Sequence, residues 1–115
     1  MPDCIFCAIA QGEISARIVY EDDQVIAFED ANPQMPVHVL IIPKHHYSHI
    51  GDEVPEPLLG HLFATVATVA RLKGVDEKGY RIIVNTGDDG RQTVHHLHVH
   101  VLGGALMPIR MGPAD

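Results

Sequence analysis

Cysteine, basic residues and long apolar runs are all scarce in this chain. Cysteine occurs twice, as Cys4 and Cys7. In a cytosolic chain such a lone close pair reads as a metal half-site or an incidental pair rather than a structural disulfide. Lysine and arginine number 8 against 15 aspartates and glutamates, for a formal net charge of −7 with histidines neutral. That balance disfavours general binding to nucleic-acid backbones, which rewards a basic face. It leaves room for one small anionic ligand held by backbone N–H groups and a few imidazoles. No run is long enough to cross a bilayer, and no charged-then-apolar leader opens the chain. A cytoplasmic protein without nucleic-acid or membrane partners is therefore expected. No linker, repeat or low-complexity stretch interrupts the sequence, so a single domain over residues 1–115 is expected.

Histidine, by contrast, is abundant. There are 9, clustered in His45-His46-Tyr47-Ser48-His49 and in His95-His96-Leu97-His98-Val99-His100. Such clustering points to metal binding, proton transfer or phosphoryl chemistry. Around these clusters the pattern predicts a short helix over 4–10, with Asp3 as its cap and Gly12 as its stop. Two β-prone runs, 17–21 and 24–29, are split by Asp22-Asp23 and predict a hairpin. Asn32-Pro33 and Met35-Pro36 mark a loop, and 38–42 is an apolar strand stopped by Pro43. A long helix begins near Pro55 or Pro57 and ends near Lys73-Gly74. Leu58, Leu62, Val66 and Val69 keep helical spacing in it, and Leu59, Phe63 and Ala70 widen the stripe. Strands over 80–85 and 96–102 flank a Gly-Asp-rich loop, and Gly103-Gly104 ends the last one. Hairpin connections and a single long helix predict an α+β fold: an antiparallel sheet with one long helix and a short N-terminal helix.

Strand alternation puts His96, His98 and His100 on one face and Leu97, Val99 and Val101 on the other. The aliphatic face suits a core. The imidazole face has three readings: a solvated polar face, a three-histidine metal site, or nucleophilic and acid–base chemistry on phosphorus. The cysteine pair also has three. A thioredoxin-like redox pair needs a βαβ setting that is not evident. The others are two incidental core cysteines and half of a tetrahedral zinc site completed by two histidines.

The run His96-Leu97-His98-Val99-His100-Val101-Leu102 resembles the signature of the histidine-triad (HIT) superfamily, most closely its nucleotide-binding Hint branch. Matching stretches span almost the whole chain. They include Ile5-Phe6, Ala27-Phe28-Glu29-Asp30, His38-Val39-Leu40-Ile41-Ile42-Pro43-Lys44, Gly79-Tyr80-Arg81, Asn85-Thr86-Gly87 and Gly90-Arg91-Gln92-Thr93-Val94-His95. The resemblance implies a HIT-like fold and a purine nucleoside phosphoramidase or nucleotidyl hydrolase that releases AMP or GMP through a nucleotidyl-histidine. By position His98 is the nucleophile, a nearby carbonyl fixing its attacking tautomer. His100 and His38 contact the phosphoryl oxygens and the leaving group, one of them serving as the acid that an amine leaving group requires.

The same resemblance places ribose hydroxyls on Asp30, which otherwise reads as a turn cap before Pro33. It places the base among Ile5, Phe6, Ile9, Phe28 and Ala31, which otherwise read as core, and the phosphate on Asn85, Gln92 and Thr93. It also implies a structural Zn2+ on Cys4, Cys7, His46 and His96, and a homodimer, for which the wide helix stripe is also suited. Three departures stand out. His95 replaces a frequent tyrosine, Arg91 replaces a frequent glycine, and the C-terminal stretch lacks a tryptophan that some relatives place near the substrate. The competing functions are a non-catalytic nucleotide-binding module and a Fhit-type dinucleoside polyphosphate hydrolase.

Overall fold

The computed structural model describes residues 4–110. Its elements run α1 (Ile5–Ala10), β1 (Ile18–Glu21), β2 (Val25–Glu29), β3 (Val37–Pro43), α2 (Glu56–Leu72), β4 (Tyr80–Ile83) and β5 (Val99–Gly103). The strands form one antiparallel sheet in the order β1-β2-β3-β5-β4. This is the α+β arrangement expected, with one long helix and one short one. Neither helix is long and apolar enough to cross a membrane.

The hairpin closes on Asp22, as its sequence suggests. Oδ1 accepts from the backbone N–H groups of Gln24 and Val25 at 2.9 and 3.0 Å, which shapes the turn. Oδ2 accepts from the Tyr20 hydroxyl at 2.8 Å and lies 2.7 Å from Nε2 of His61 on α2, tying the hairpin to the helix. Partial burial pushes this carboxyl up, but the four hydrogen bonds outweigh it and hold it well below the usual range.

The two faces of the sheet bury different partners. Val25, Ala27, Val39, Ile41, Val99 and Val101 point at α2 and pack on its Leu62, Val66 and Val69. Each such aliphatic side chain taken out of water stabilises the fold by roughly 1.5–3 kcal/mol. The opposite face carries Ile26, Phe28, Leu40 and Ile42, which pack on Phe6 and Ile9 of α1. Six-residue α1 covers only part of that face, and the rest holds the histidines. Along α2, Leu62, Val66, Val69 and Ala70 are buried as their spacing predicts, while Leu58, Leu59 and Phe63 are only half-buried.

Three boundaries differ from expectation. Asp3 lies outside the described residues; the cap of α1 is Cys4, whose Sγ accepts from the Cys7 N–H at 3.3 Å. The last strand starts at Val99, not at residue 96. Val99 pairs with Ile41, so Leu97 comes level with Pro43, which has no N–H to continue the ladder. Instead the Leu97 N–H donates to the Tyr47 carbonyl at 2.6 Å. β4 ends at Ile83 rather than at residue 85, because Asn85 turns into the following loop and donates from Nδ2 to the Gly90 carbonyl at 2.8 Å.

Candidate active site

The side-chain alternation survives the shorter strand. Leu97, Val99 and Val101 all join the core under α2. His96, His98 and His100 leave on the other side, each no more than 2% exposed. Rings buried this deeply need partners, and their partners sort them into two groups.

The first group is Cys4, Cys7, His46 and His96, whose candidate ligand atoms all lie within 4.8 Å of one another. Cys4 Sγ is 3.3 Å from His96 Nδ1, Cys7 Sγ is 3.3 Å from His46 Nδ1, and the two Nδ1 atoms are 3.2 Å apart. A tetrahedral ion with zinc-like bond lengths would set S···N at about 3.5 Å and N···N at about 3.3 Å, so the donor set fits one metal ion. His96 Nε2–H donates to the Pro43 carbonyl at 2.9 Å. That bond leaves Nδ1 with its lone pair toward the thiols and is the outer support that metal-binding imidazoles usually have. The residues come from three places the sequence could only suggest: the first turn of α1, the loop after β3 and the approach to β5.

The second group is Asp30, His38, His98 and His100. His98 Nδ1–H donates to the carbonyl of His96 at 2.7 Å. The tautomer is thereby fixed, and its Nε2, buried and without a hydrogen-bond partner among the described residues, keeps a free lone pair. His38 Nδ1 accepts from the Gln34 N–H at 3.0 Å, so its proton sits on Nε2, 2.9 Å from His100 Nδ1. His100 then carries its own proton on Nε2. Three neutral rings thus present one nucleophilic nitrogen and one N–H donor. This proton pattern disfavours a metal ion between Asp30, His38 and His100, although the atoms are close enough for one, because Nε2 of His38 is already protonated.

Burial pushes the pKa of all three rings down. For His38 the Asp30 carboxylate opposes this, with its Oδ2 3.4 Å from Nε2. For His98 burial again dominates, against the His96 carbonyl and Asp30. For His100 burial, helped by His98 and His38, lowers the value to about 3. The three rings are therefore neutral at neutral pH.

Beside these rings opens a cavity of about 700 Å3. Ile5, Phe6, Ile9, Phe28, Asp30 and Ala31 all line it. Phe6 connects the groups: its ring is 5.5 Å from Phe28, 5.1 Å from His98 and 6.0 Å from His96, edge-on in each case. Asp30 also caps its turn, with Oδ1 accepting from the Asn32 N–H at 2.8 Å.

The expected phosphate residues are placed differently. Gln92 is buried and engaged in the loop: Oε1 accepts from the Gly87 N–H at 3.1 Å and Nε2 donates to the Ser48 and Val94 carbonyls at 2.7 and 3.0 Å. Asn85 is held by Gly90, and Thr93 is exposed. None of the three hydrogen-bonds to the histidines among the described residues. Arg91 has φ +65 in the left-handed region, which accounts for glycine being the frequent residue there.

A model of the HIT domain matches residues 11–107. The chain belongs to the HIT family. A HIT family hydrolase from Legionella pneumophila Philadelphia 1 has the same fold, with a TM-score of 0.91, 43% identity and coverage of 96% of this chain and 100% of its own. A 14 kDa zinc-binding protein from Brassica juncea is 46% identical over 91% of this chain and 96% of its own. A histidine triad nucleotide-binding protein from Candida albicans aligns with a TM-score of 0.82, 30% identity and coverage of 96% and 87%. The family model spans β1 to β5 and begins after α1, the helix that carries Cys7 and is capped by Cys4.

Sequence reasoning missed the main-chain groups that fix each proton, namely the Gln34 N–H and the Pro43 carbonyl, because a backbone contact leaves no residue signature. Imidazole nitrogen-15 shifts at neutral pH are expected to show the Nδ1–H tautomer for His98 and Nε2–H for His38 and His100, with His100 staying neutral until about pH 3. A proton on Nε2 of His98 would refute this arrangement.

Proposed function

We propose that this HIT protein is a purine nucleoside phosphoramidase of the Hint type, releasing AMP or GMP. The observation that carries the reading is His98 Nε2, a buried nitrogen with its lone pair free and its tautomer fixed, on a ring 5.1 Å from Phe6, which lines a cavity of about 700 Å3. That volume suits a nucleoside, and the edge-on Phe6 and Phe28 offer flat apolar walls for a purine.

In this reading the base lies among Ile5, Phe6, Ile9, Phe28 and Ala31, with Asp30 on the ribose hydroxyls. His98 Nε2 attacks the α-phosphorus and the bond from phosphorus to the leaving amine breaks. The His38–His100 pair, holding one extra proton that the bound phosphate's negative charge favours, hands that proton to the amine and returns to its neutral form. Water then attacks phosphorus and the P–Nε2 bond breaks. The nucleoside monophosphate leaves, and the water proton returns to His100. A free His98 lone pair also favours this reading over a binding module without turnover. Asn85, Gln92 and Thr93 are assigned to the phosphate; Thr93 is exposed, and Asn85 Oδ1 has no hydrogen-bond partner among the described residues.

Zn2+ is proposed for Cys4, Cys7, His46 and His96. With four protein ligands it has no open position for water, so its role is structural: it pins α1, and with it Phe6, over His98. A homodimer is also proposed. The half-buried Leu58, Leu59 and Phe63 on α2, and Tyr80 and Ile82 exposed on edge strand β4, are apolar surface that a second copy could cover.

Three measurements test this. His98→Gln is expected to lower turnover of an adenosine phosphoramidate on the order of 10³-fold or more while keeping AMP binding, with an adenylyl adduct on His98 seen by mass spectrometry in the parent. Parent-like turnover in that variant would reject the nucleophile. Metal analysis of protein purified without chelator should give one zinc per chain, and Cys4→Ser/Cys7→Ser should melt lower and bind nucleotide more weakly. A metal-free parent that melts like the variant would return the cysteines to the core. Light scattering at micromolar concentration should give twice the 12.6 kDa chain mass, and a monomer would overturn the dimer.

A further inference from the structure

The large cavity extends past the residues assigned to base and ribose. Ile14, Ser15 and Ala16, in the segment between α1 and β1, also line it. Backbone hydrogen bonds hold this segment to the end of α1. The Gly12 N–H, at φ +78, donates to the Ile9 carbonyl at 3.1 Å, and the N–H groups of Glu13 and Ile14 donate to the Ala8 carbonyl at 2.8 and 3.3 Å. Ile14 is thereby seated as a wall past the C-terminal end of the helix.

The two ends of α1 face different chemistry. Its first turn brings Cys4 and Cys7 to His46 and His96, and Phe6 in that turn is 5.1 Å from His98. The six residues of α1 span about 9 Å, so Ile14 marks the end of the cavity away from the histidines. That end is apolar and uncovered. Ile14 is 43% exposed, whereas Phe6, Ile9 and Phe28 in the same cavity are buried. Ser15 and Ala16 beside it are small and fill little space. Arg17 also borders the cavity. Ala16 packs on the Phe6–Phe28 cluster and Val19 on the α2 cluster, so strand alternation sends the Arg17 side chain toward α2.

We propose that the Ile14 end of the cavity receives an apolar substituent on the purine. The preferred nucleotides then carry an alkyl group on the base edge farthest from the ribose, and Ile14 is a specificity-determining residue. The inference rests on the purine-nucleotide reading of the large cavity. With the phosphate beside His98, at the first turn of α1, the base runs along the helix and its far edge meets Ile14. An unsubstituted purine leaves that side chain partly in water. An alkyl group covers it, and the apolar surface removed from water favours binding in proportion to its area.

The test measures binding to the parent protein by calorimetry for AMP, for AMP with a pentyl group on its exocyclic amine, and for AMP with a hydroxybutyl group there. The two substituents match in length and differ only in a terminal methyl or hydroxyl, and none of the three ligands carries a leaving amine on phosphorus, so turnover does not enter. Pentyl-AMP is expected to bind about tenfold more tightly than AMP, as roughly two newly buried methylenes imply, and hydroxybutyl-AMP clearly less tightly than pentyl-AMP. The ratio of pentyl-AMP to AMP affinity should fall toward one in Ile14→Ser. Ile18 is the control: it is 47% exposed and opposite Phe28 in the sheet but does not line the cavity, so Ile18→Ser should keep the ratio. Equal affinities for AMP and pentyl-AMP, an equal gain from the hydroxybutyl group, a ratio unchanged in Ile14→Ser, or one lowered as much in Ile18→Ser would each overturn the inference alone. Failure of all three ligands to bind would reject the nucleotide reading and the inference with it.

Discussion

His96 holds the two halves of the site together through three separate atoms. Its Nδ1 faces Cys4, Cys7 and His46. Its Nε2–H is spent on the Pro43 carbonyl. Its own carbonyl takes the Nδ1–H of His98. Rotating the ring would cost the buried bond to Pro43, and moving the backbone would release the proton that fixes the His98 tautomer. The cysteine cluster and the nucleophilic nitrogen are thus two ends of one rigid residue. His96 thereby fixes the tautomer of His98 without its own ring facing the second group.

Pro43 sets this arrangement from the other side. A residue with an N–H at the end of β3 would let the ladder to β5 run on, and Leu97 would pair there instead of with Tyr47. Stopping the ladder frees residues 96–98 to bend, so that the His96 ring reaches the Pro43 carbonyl and its own carbonyl turns toward His98. α1 then closes the face. Phe6 lies edge-on to both histidines and to Phe28, so the helix that brings Cys4 and Cys7 also builds a wall of the large cavity.

Much of this was legible in the sequence, and for a physical reason. The period-2 run from Leu97 to Val101 and the helical spacing of Leu62, Val66 and Val69 are statements about which side of an element is apolar, and the core obeys them. The cysteine spacing fixed which thiols share a helix turn, and the structure brings them to His46 and His96. What could not be read were contacts made by the backbone, such as the Gln34 N–H on His38, and consequences of register. That Arg81 lies on the histidine face follows only once β4 is aligned with β5 across the loop between them. Gln92 carries a second role that its type did not reveal: its amide also closes the loop onto Gly87, Ser48 and Val94.

The burial of His38, His96, His98 and His100 decides between a solvated polar face and a working one. A solvated face would leave the rings in water, where each costs nothing and can titrate near its ordinary value of 6.5. Here all four are at most 3% exposed, so each ionised form is penalised and each neutral ring must be matched proton by proton. The matching is directional. From the Gln34 N–H through His38 to His100, each donor passes to the next ring, while His98 and His96 donate to the carbonyls of His96 and Pro43. One end of this network presents a proton and the other a lone pair. Such a separation within a group of identical rings has a cost in desolvation that packing aliphatic side chains on this face would avoid, and a lone pair and a proton held apart in one buried site are what paired nucleophilic and acid–base chemistry requires.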